Sequence, residues 1–133
     1  MNKTLQTMGS AVIGTIVAFL GGADTLLNVF LVIVFLDMAT GILKALYGGS
    51  YKSARFREGL YRKLAYFIAI VLVVQLDKLT GSNGMFRSIL ITFLVCNEMI
   101  SIIENLGQMG VPFPTQITDA IEVLKNKENK ETK

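Results

Sequence analysis

The chain has 133 residues, of which 52% are hydrophobic and only 17% charged, and its mean hydropathy is +0.53. It contains no histidine and one cysteine, Cys96, which excludes an intrachain disulfide and leaves few ligands for zinc or iron. Apolar segments joined by short polar connections are typical of a small multi-span membrane protein. A soluble helical bundle is the alternative, but its helices need polar faces, and residues 26–36 contain one polar side chain, Asn28.

We therefore predict an all-α membrane protein. It would have four, or alternatively three, membrane-spanning helices, followed by a short C-terminal amphipathic helix, and would assemble into oligomers. The domain organisation that follows is a transmembrane domain over residues 1–106 and a cytoplasmic helix with a charged tail over residues 107–133.

The first predicted span covers residues 5–23, which carry no charge. At 1.5 Å per residue it is about 28 Å long, close to the thickness of a hydrocarbon core. Small residues recur every four positions and would let a second helix approach closely. These residues are Ser10, Gly14, Ala18 and Gly22. The segment also fits a cleaved signal peptide, with Lys3 as its basic start and residues 21–23 as its cleavage site.

The second predicted span covers residues 25–46 and contains an acid. Asp37, Gly41, Ala45 and Gly49 are four residues apart and share one helix face. An Asp at the centre of a bilayer costs about 2.5–3.5 kcal/mol on insertion scales, so it should face protein or water. We expect this face to pack against other helices.

The region between the second and third apolar segments carries most of the positive charge. Its cations are Lys52, Arg55, Arg57, Arg62 and Lys63. The excess of Lys and Arg predicts that this basic loop faces the cytoplasm. Phe56, Leu60 and Tyr61 alternate with the cations, so the loop either lies in the headgroup region or is a solvated connection. We expect no nucleic-acid partner, because this stretch is held between two spans.

The third and fourth predicted spans cover residues 64–80 and 85–105. Asp77, Lys78 and Arg87 flank the turn between them and could pair at that surface. The fourth span carries a polar flank, which would bond across helices or line water. Its members are Asn97, Glu98, Ser101, Glu104 and Asn105. The alternative is a helix that ends near Cys96.

Pro112 and Pro114 end the fourth helix. Residues 115–127 predict a short amphipathic helix, which would lie on the membrane or pack on the bundle. Its apolar residues are Ile117, Ile121 and Leu124. The polar tail from Asn126 is expected to be disordered.

Four spans would put the N-terminus, the basic loop and the tail on the cytoplasmic side. In that topology Asp37 lies about 13 Å, and Glu98 about 10 Å, from the cytoplasmic ends of their helices. We therefore predict a polar cluster of Asp37, Lys44 and Glu98 in the cytoplasmic half, within or between subunits. Lys63 lies near that surface and could reach inwards or outwards.

Four sequence blocks resemble the toxin-secretion/phage-lysis holin family. Residues 37–45 read DMATGILKA, similar to the family's DxxTGxxKA signature. Residues 59–63 read GLYRK and lead into the third helix, as in that family. Residues 97–105 read NEMISIIEN and residues 110–114 read GVPFP, similar to NExxSIxEN and GVPxP. The match runs in order from about residue 26 to 124.

This resemblance implies a protein that accumulates in the bacterial inner membrane and assembles at a set time into a lesion. A cytoplasmic muralytic enzyme (endolysin), or in some relatives a toxin, would then escape without direct contact. The small-residue stripes would associate helices, and the polar residues would line water in the open state. The membrane-embedded polar and oligomerisation residues are Asp37, Thr40, Gly41 and Lys44, with the flank of the fourth span. The small residues are Ser10, Gly14, Ala18, Gly22, Ala45 and Gly49.

The resemblance also suggests two translation starts. A start at Met8 would remove Lys3, the one charge before the first span. Some holins make a longer product that acts as an inhibitor, because its extra cation resists crossing an energised membrane.

A small four-span ion channel or cation-coupled transporter is the alternative function. In it a membrane Asp or Glu would bind a cation. An enzyme is not expected, because the sequence shows no nucleophile–base pair, metal-ligand set or phosphate-binding loop. We expect no cofactor.

Overall fold

The computed structural model describes residues 2–50 and 52–131, and within these ranges every regular element is a helix. The all-α class is therefore confirmed. The helices are α1 (Lys3–Phe19), α2 (Thr25–Tyr47), α3 (Ser53–Thr80), α4 (Met85–Gln108) and α5 (Thr115–Glu131).

Three helices, α2, α3 and α4, are long and apolar enough to cross a membrane. They contain 23, 28 and 24 residues, so at 1.5 Å per residue each exceeds the roughly 30 Å of a hydrocarbon core. These three helices indicate a multi-pass membrane protein. The shorter α1 has 17 residues and is not among them, so the predicted fourth span stays a prediction.

The predicted first span was too long at its C-terminal end, because α1 stops at Phe19 rather than continuing to residue 23. Gly21 and Gly22 have φ values of +89° and +96°. Their N–H groups donate to the carbonyls of Ala18 and Val17, which closes the helix in the manner of a Schellman motif. A left-handed pair of glycines therefore ends the helix.

The core lies where one face each of α2, α3 and α4 meet. α4 is the central helix, since it packs against α2, α3 and α5. The Phe30 and Phe67 rings meet edge to face, with centroids 5.6 Å apart. The buried apolar residues of this core are Leu20, Leu27, Phe30, Val34, Ile70, Val74, Ile91, Leu94 and Val95.

The outward faces of the same helices are apolar. Phe35, Ile68 and Leu79 have 69%, 72% and 85% of their surface exposed. A water-soluble bundle does not leave such long apolar faces uncovered, so this arrangement argues against the soluble alternative. A bilayer covers these faces without a partner.

The basic loop predicted between the second and third spans is wrong over residues 53–63, which form the first turns of α3. Ala, Arg, Leu and Glu favour helix, and Gly59 alone opposes it. The actual connection is short and runs from Gly48 to Lys52. One residue within it lies outside the described part of the chain. Arg55, Arg57 and Arg62 are therefore exposed on a helix, whereas Lys52 precedes it and Lys63 is buried.

At the C-terminal side, α4 continues to Gln108, so the alternative helix end near Cys96 is wrong. α5 extends to Glu131, and the disorder predicted from Asn126 is wrong up to that residue, because Lys and Glu there are good helix formers. The two residues that follow lie outside the described part.

The helix α5 packs along α4. Ile121 is 7% exposed, whereas Ile117 and Leu124 are about half exposed. The Lys125 ammonium lies 5.7 Å from the centre of the Phe93 ring. The predicted apolar face is thus only partly used against the bundle.

Candidate functional site

The central polar feature is a buried cluster of three charged side chains, one from each of α2, α3 and α4. Lys63 Nζ lies 2.7 Å from Asp37 Oδ2 and 2.8 Å from Glu98 Oε2. The three side chains are only 8%, 12% and 6% exposed, respectively. We call this group the Lys63 cluster.

Helix periodicity explains why these residues meet. The buried positions of α2 follow one face, from Leu27 through Phe30 and Val34 to Asp37 and Thr40. Spacings of three and four residues keep them on one side of the helix. The charged residues therefore extend the apolar stripes by which the helices pack, and they enter the same interior.

Further polar contacts surround the cluster. The Tyr66 hydroxyl donates to Glu98 Oε1 at 3.0 Å. Asn105 Nδ2 donates to Thr40 Oγ1 at 3.2 Å, and the Thr40 hydroxyl donates to the Asp37 carbonyl at 3.1 Å. Gly41 lies beside Asn105 without crowding it. Hydrogen bonds thus connect all three helices at this level.

One acceptor in the cluster is unsatisfied. Asp37 Oδ1 is buried and has no hydrogen-bond partner among the described residues. A buried carboxylate oxygen without a donor carries a desolvation cost of about 1–3 kcal/mol or more. Asp37 therefore keeps one carboxylate oxygen that can accept a further hydrogen bond.

The structure brings Asp37 and Glu98 together as predicted, but their cation is Lys63 and not Lys44. Lys44 lies on the same helix as Asp37, about 10 Å further along its axis, and it is only partly buried. Lys63 reaches the two acids from α3. Within one chain, Lys44 is therefore not part of this cluster, and a contact between subunits stays a prediction.

The other predicted site residues lie around the cluster or away from it. Asn97 and Ser101 are partly buried on α4, whereas Glu104 is exposed. The small residues do not come together within one chain. Ser10, Gly14, Ala18 and Gly49 are exposed, and Gly22 and Ala45 are partly buried.

Sequence reasoning missed Tyr66 and the buried position of Lys63. The signal was present in the spacing of α3, because Ile70, Val74 and Asp77 are buried at intervals of four and three. Continuing that stripe seven residues back from Ile70 leads to Lys63, with Tyr66 between them. Assigning residues 47–63 to a loop removed this periodicity from view.

A second polar group lies at the other end of the bundle. Arg87 Nη1 donates to Asp24 Oδ2 at 2.6 Å, and Arg87 Nε donates to the Leu20 carbonyl at 2.6 Å. Its Nη2 donates to the Gly22 carbonyl at 3.2 Å. Arg87 therefore attaches the connection between α1 and α2 to the start of α4.

Asp77 has a separate role at this end. Its carboxylate accepts the backbone N–H groups of Phe86 and Arg87, both at 2.9 Å, and the Ser82 hydroxyl. It thus caps the N-terminus of α4. Lys78 is exposed and forms no ion pair with any described residue, so the predicted pairing of Asp77, Lys78 and Arg87 is wrong.

The Arg87 hydrogen bond lowers the pKa of the Asp24 carboxyl below its ordinary value of 3.8, against the opposing effect of burial. Asp24 Oδ1 also accepts the Leu27 N–H at 2.8 Å, which caps α2 and favours the ionised form. Asp24 therefore stays charged under neutral conditions.

The described residues contain no group of three or more His, Cys, Asp or Glu side chains placed to hold a metal ion. In the Lys63 cluster two carboxylates face one ammonium group.

Comparison with known proteins gives a consistent result. A family model described as the bacteriophage holin family matches residues 14–126. A probable holin of Bacillus phage phi105 is 32% identical, over 86% of this chain and 85% of its own. An uncharacterized protein of Halalkalibacterium halodurans is 34% identical over 96% of this chain and 99% of its own. An uncharacterized 14.9 kDa protein of Clostridium perfringens is 35% identical, with 90% and 92% covered. No solved structure matches.

Proposed function

The chain belongs to the bacteriophage holin family, and from that premise we propose that it acts as a holin. It accumulates in the inner membrane of a bacterium and assembles at a set time into a lesion. Through that lesion a cytoplasmic muralytic enzyme reaches the cell wall, or a toxin is released. Family membership suggests a non-enzymatic membrane protein, so the protein's contribution is the lesion itself.

The observation that carries this proposal is the Lys63 cluster. Separating a buried ammonium from its carboxylates costs about 3–5 kcal/mol when one partner is left dry. The cluster therefore holds α2, α3 and α4 together in a lipid-covered monomer. If the helices of several chains surround water, the charges are rehydrated and Asp37 Oδ1 gains a donor. The same side chains are thus compatible with a dry bundle and with a water-filled lesion. A delayed and abrupt opening requires two such states.

Assembly has a surface available on α1. Ser10, Gly14 and Ala18 are exposed, and no atom lies within 4 Å of a side chain built at Gly14. Only Val17 on this helix packs on the core. A helix with a free small-residue face suits close packing against a second chain, which supports oligomer formation at high density.

Membrane potential would act on the charged groups. The Lys63 cluster carries one net negative charge if all three groups are ionised. Moving one charge across the whole membrane changes the energy by about 2.3 kcal/mol per 100 mV. Opening that shifts the cluster relative to the membrane would therefore depend on the membrane potential.

The cluster supports a holin over a cation-coupled transporter. In a transporter the membrane acids must be free to bind the transported cation. Here one oxygen of each acid is bound to Lys63. A transported cation would have to share both acids with the Lys63 ammonium group, which already neutralises part of their charge.

The test is inducible expression in bacteria together with a muralytic enzyme that has no export signal. Optical density and membrane potential are followed in the same culture. We expect normal growth and then abrupt depolarisation whenever this chain is expressed, with lysis only when the muralytic enzyme is present as well. A catalytically inactive muralytic enzyme is the control.

Depolarisation without enzyme release would favour a channel. Steady growth with an intact potential, at a confirmed protein level in the membrane, would overturn the proposed function.

A further inference from the structure

A half-open cavity of about 540 Å³ lies between the second half of α2, the first turns of α3 and the end of α4. Its volume falls within the roughly 300–1,000 Å³ of small-ligand sites. Asp37 and Lys63 line its inner part, and Gly48, Ser50 and Lys52 line it where α2 connects to α3. The cavity thus leads from the Lys63 cluster towards one end of the bundle.

The rim of this cavity is positively charged. Four basic side chains line it without an ion pair to any described residue. They are Lys44, Lys52, Arg55 and Arg62. Asp37 is the one acidic residue in the lining, and it is already bound to Lys63. Cations brought together around a cavity repel one another unless an anion joins them.

The N-terminus of α3 adds to this charge. Its first turn contains no acidic residue, and the N-cap position, Lys52, gives no side-chain cap. The first N–H groups of a helix are free donors at the positive end of its dipole. Together with the four basic side chains, they make an oxyanion the complementary ligand.

The surroundings of the cavity indicate where that anion comes from. Tyr47 and Leu60 line the cavity with 73% and 36% of their surface exposed. Leu43 and Leu46 are exposed on the adjoining side of α2. An exposed apolar border suits acyl chains, whereas a site for a soluble anion has no need of one. Basic pockets between membrane helices are suited to acidic lipid headgroups.

We propose that this cavity binds the phosphate headgroup of an anionic phospholipid. The phosphate lies among Lys44, Lys52, Arg55 and Arg62 at the start of α3, and the acyl chains lie along the exposed apolar side chains of α2. The lipid occupies the space between α2 and α3, beside the Lys63 cluster that joins these two helices to α4.

The test uses the full-length protein, purified in detergent and mixed with equal amounts of phosphatidylglycerol and phosphatidylcholine. Native mass spectrometry then measures which lipid the protein retains. We expect selective retention of phosphatidylglycerol. The double variant Lys44→Gln with Arg55→Gln removes two rim charges and should weaken retention about 30-fold. The control, Arg57→Gln with Lys78→Gln, removes two charges outside the cavity and should retain the lipid as the wild type does.

Equal retention of the two lipids would overturn the proposal, as would an equal loss in the rim and control variants. Inorganic phosphate provides the second arm. If millimolar phosphate displaces phosphatidylglycerol and raises the unfolding temperature of the wild type but not of the rim variant, the site binds a free anion and the lipid assignment is wrong. Because binding is measured on the purified protein, its failure is distinct from a failure to lyse cells.

Discussion

At Lys63, one ammonium group faces carboxylates from two other helices at 2.7 and 2.8 Å. The side chain is 8% exposed, so solvent screening of these contacts is weak. Removing the cation would leave two buried acids next to each other. Such a change costs about 3–5 kcal/mol in a buried pair.

We therefore predict that Lys63→Met shortens the delay before lysis, because the closed arrangement is weakened and hydration of the acids is favoured. The measurement is the time of the optical-density fall at equal protein levels in the membrane. Lys78→Met removes an exposed cation and is the matched control. An unchanged delay in Lys63→Met would contradict this role. If that variant fails to accumulate, Lys63→Arg, which keeps the charge but alters the contacts, provides the second comparison.

Asp24 gives a pH dependence at the opposite end. Its folded-state pKa is lowered, chiefly by the Arg87 hydrogen bond. Its contribution to stability is therefore full above the ordinary value of 3.8 and is lost as pH falls through the lower, folded-state value. The side chain is 47% exposed, so we expect an effect below about 1 kcal/mol.

The measurement is the unfolding free energy of the purified protein in detergent between neutral and acidic pH. The difference between wild type and Asp24→Asn should be constant above the ordinary carboxyl value and should shrink below it. A difference that grows as pH falls would contradict the assigned sign.

At the scale of elements, the connection between α1 and α2 depends on close backbone approach. Gly21 has a φ of +89°, and a Cβ there would lie 2.5 Å from Arg87 Nε and 2.7 Å from Arg87 Cδ. The position thus combines a left-handed backbone with a buried guanidinium group held by three residues of the turn.

We predict that Gly21→Ala lowers the unfolding free energy by about 1–3 kcal/mol, from backbone strain and displacement of Arg87. Chemical unfolding in detergent measures this. Gly14→Ala is the control, because it lies within α1 with open space around it and should keep or slightly raise stability. Equal effects of the two substitutions would contradict the role of Gly21.

Some features of the helices could be predicted from the sequence, and others depend on tertiary packing. The apolar segments around α2, α3 and α4 follow from length and hydropathy, and the meeting of Asp37 with Glu98 followed from depth. The helical start of α3 did not follow, because charge density predicts a loop as readily as an amphipathic helix. When these residues are assigned to a loop, the apolar stripe that leads from Ile70 back to Lys63 is hidden, and the sequence favours Lys44 as the cation. Arg87 was placed near the correct end, but its partners in the turn depend on tertiary packing.

For the whole molecule, the proposed assembly surface on α1 makes a further prediction. Gly14→Leu fills the open small-residue face and should delay or abolish lysis without loss of protein from the membrane, because chains approach less closely. Ile16→Leu changes an exposed apolar residue on the same helix and is the control. Optical density and membrane fractionation are the measurements. Lysis on the wild-type schedule in Gly14→Leu would contradict this use of α1.

The central claim is that the Lys63 cluster is dry before triggering and meets water in the lesion. The most direct measurement is labelling of Thr40→Cys, in a Cys96→Ser background that lyses on schedule, with a charged thiol reagent. Thr40 is 7% exposed and lies beside the cluster. Phe35→Cys, on the exposed apolar face of α2, is the control and should remain unlabelled throughout.

We expect Thr40→Cys to be unlabelled before the membrane potential collapses and strongly labelled afterwards. Equal labelling before and after collapse, or lysis without any labelling of Thr40→Cys, would contradict it.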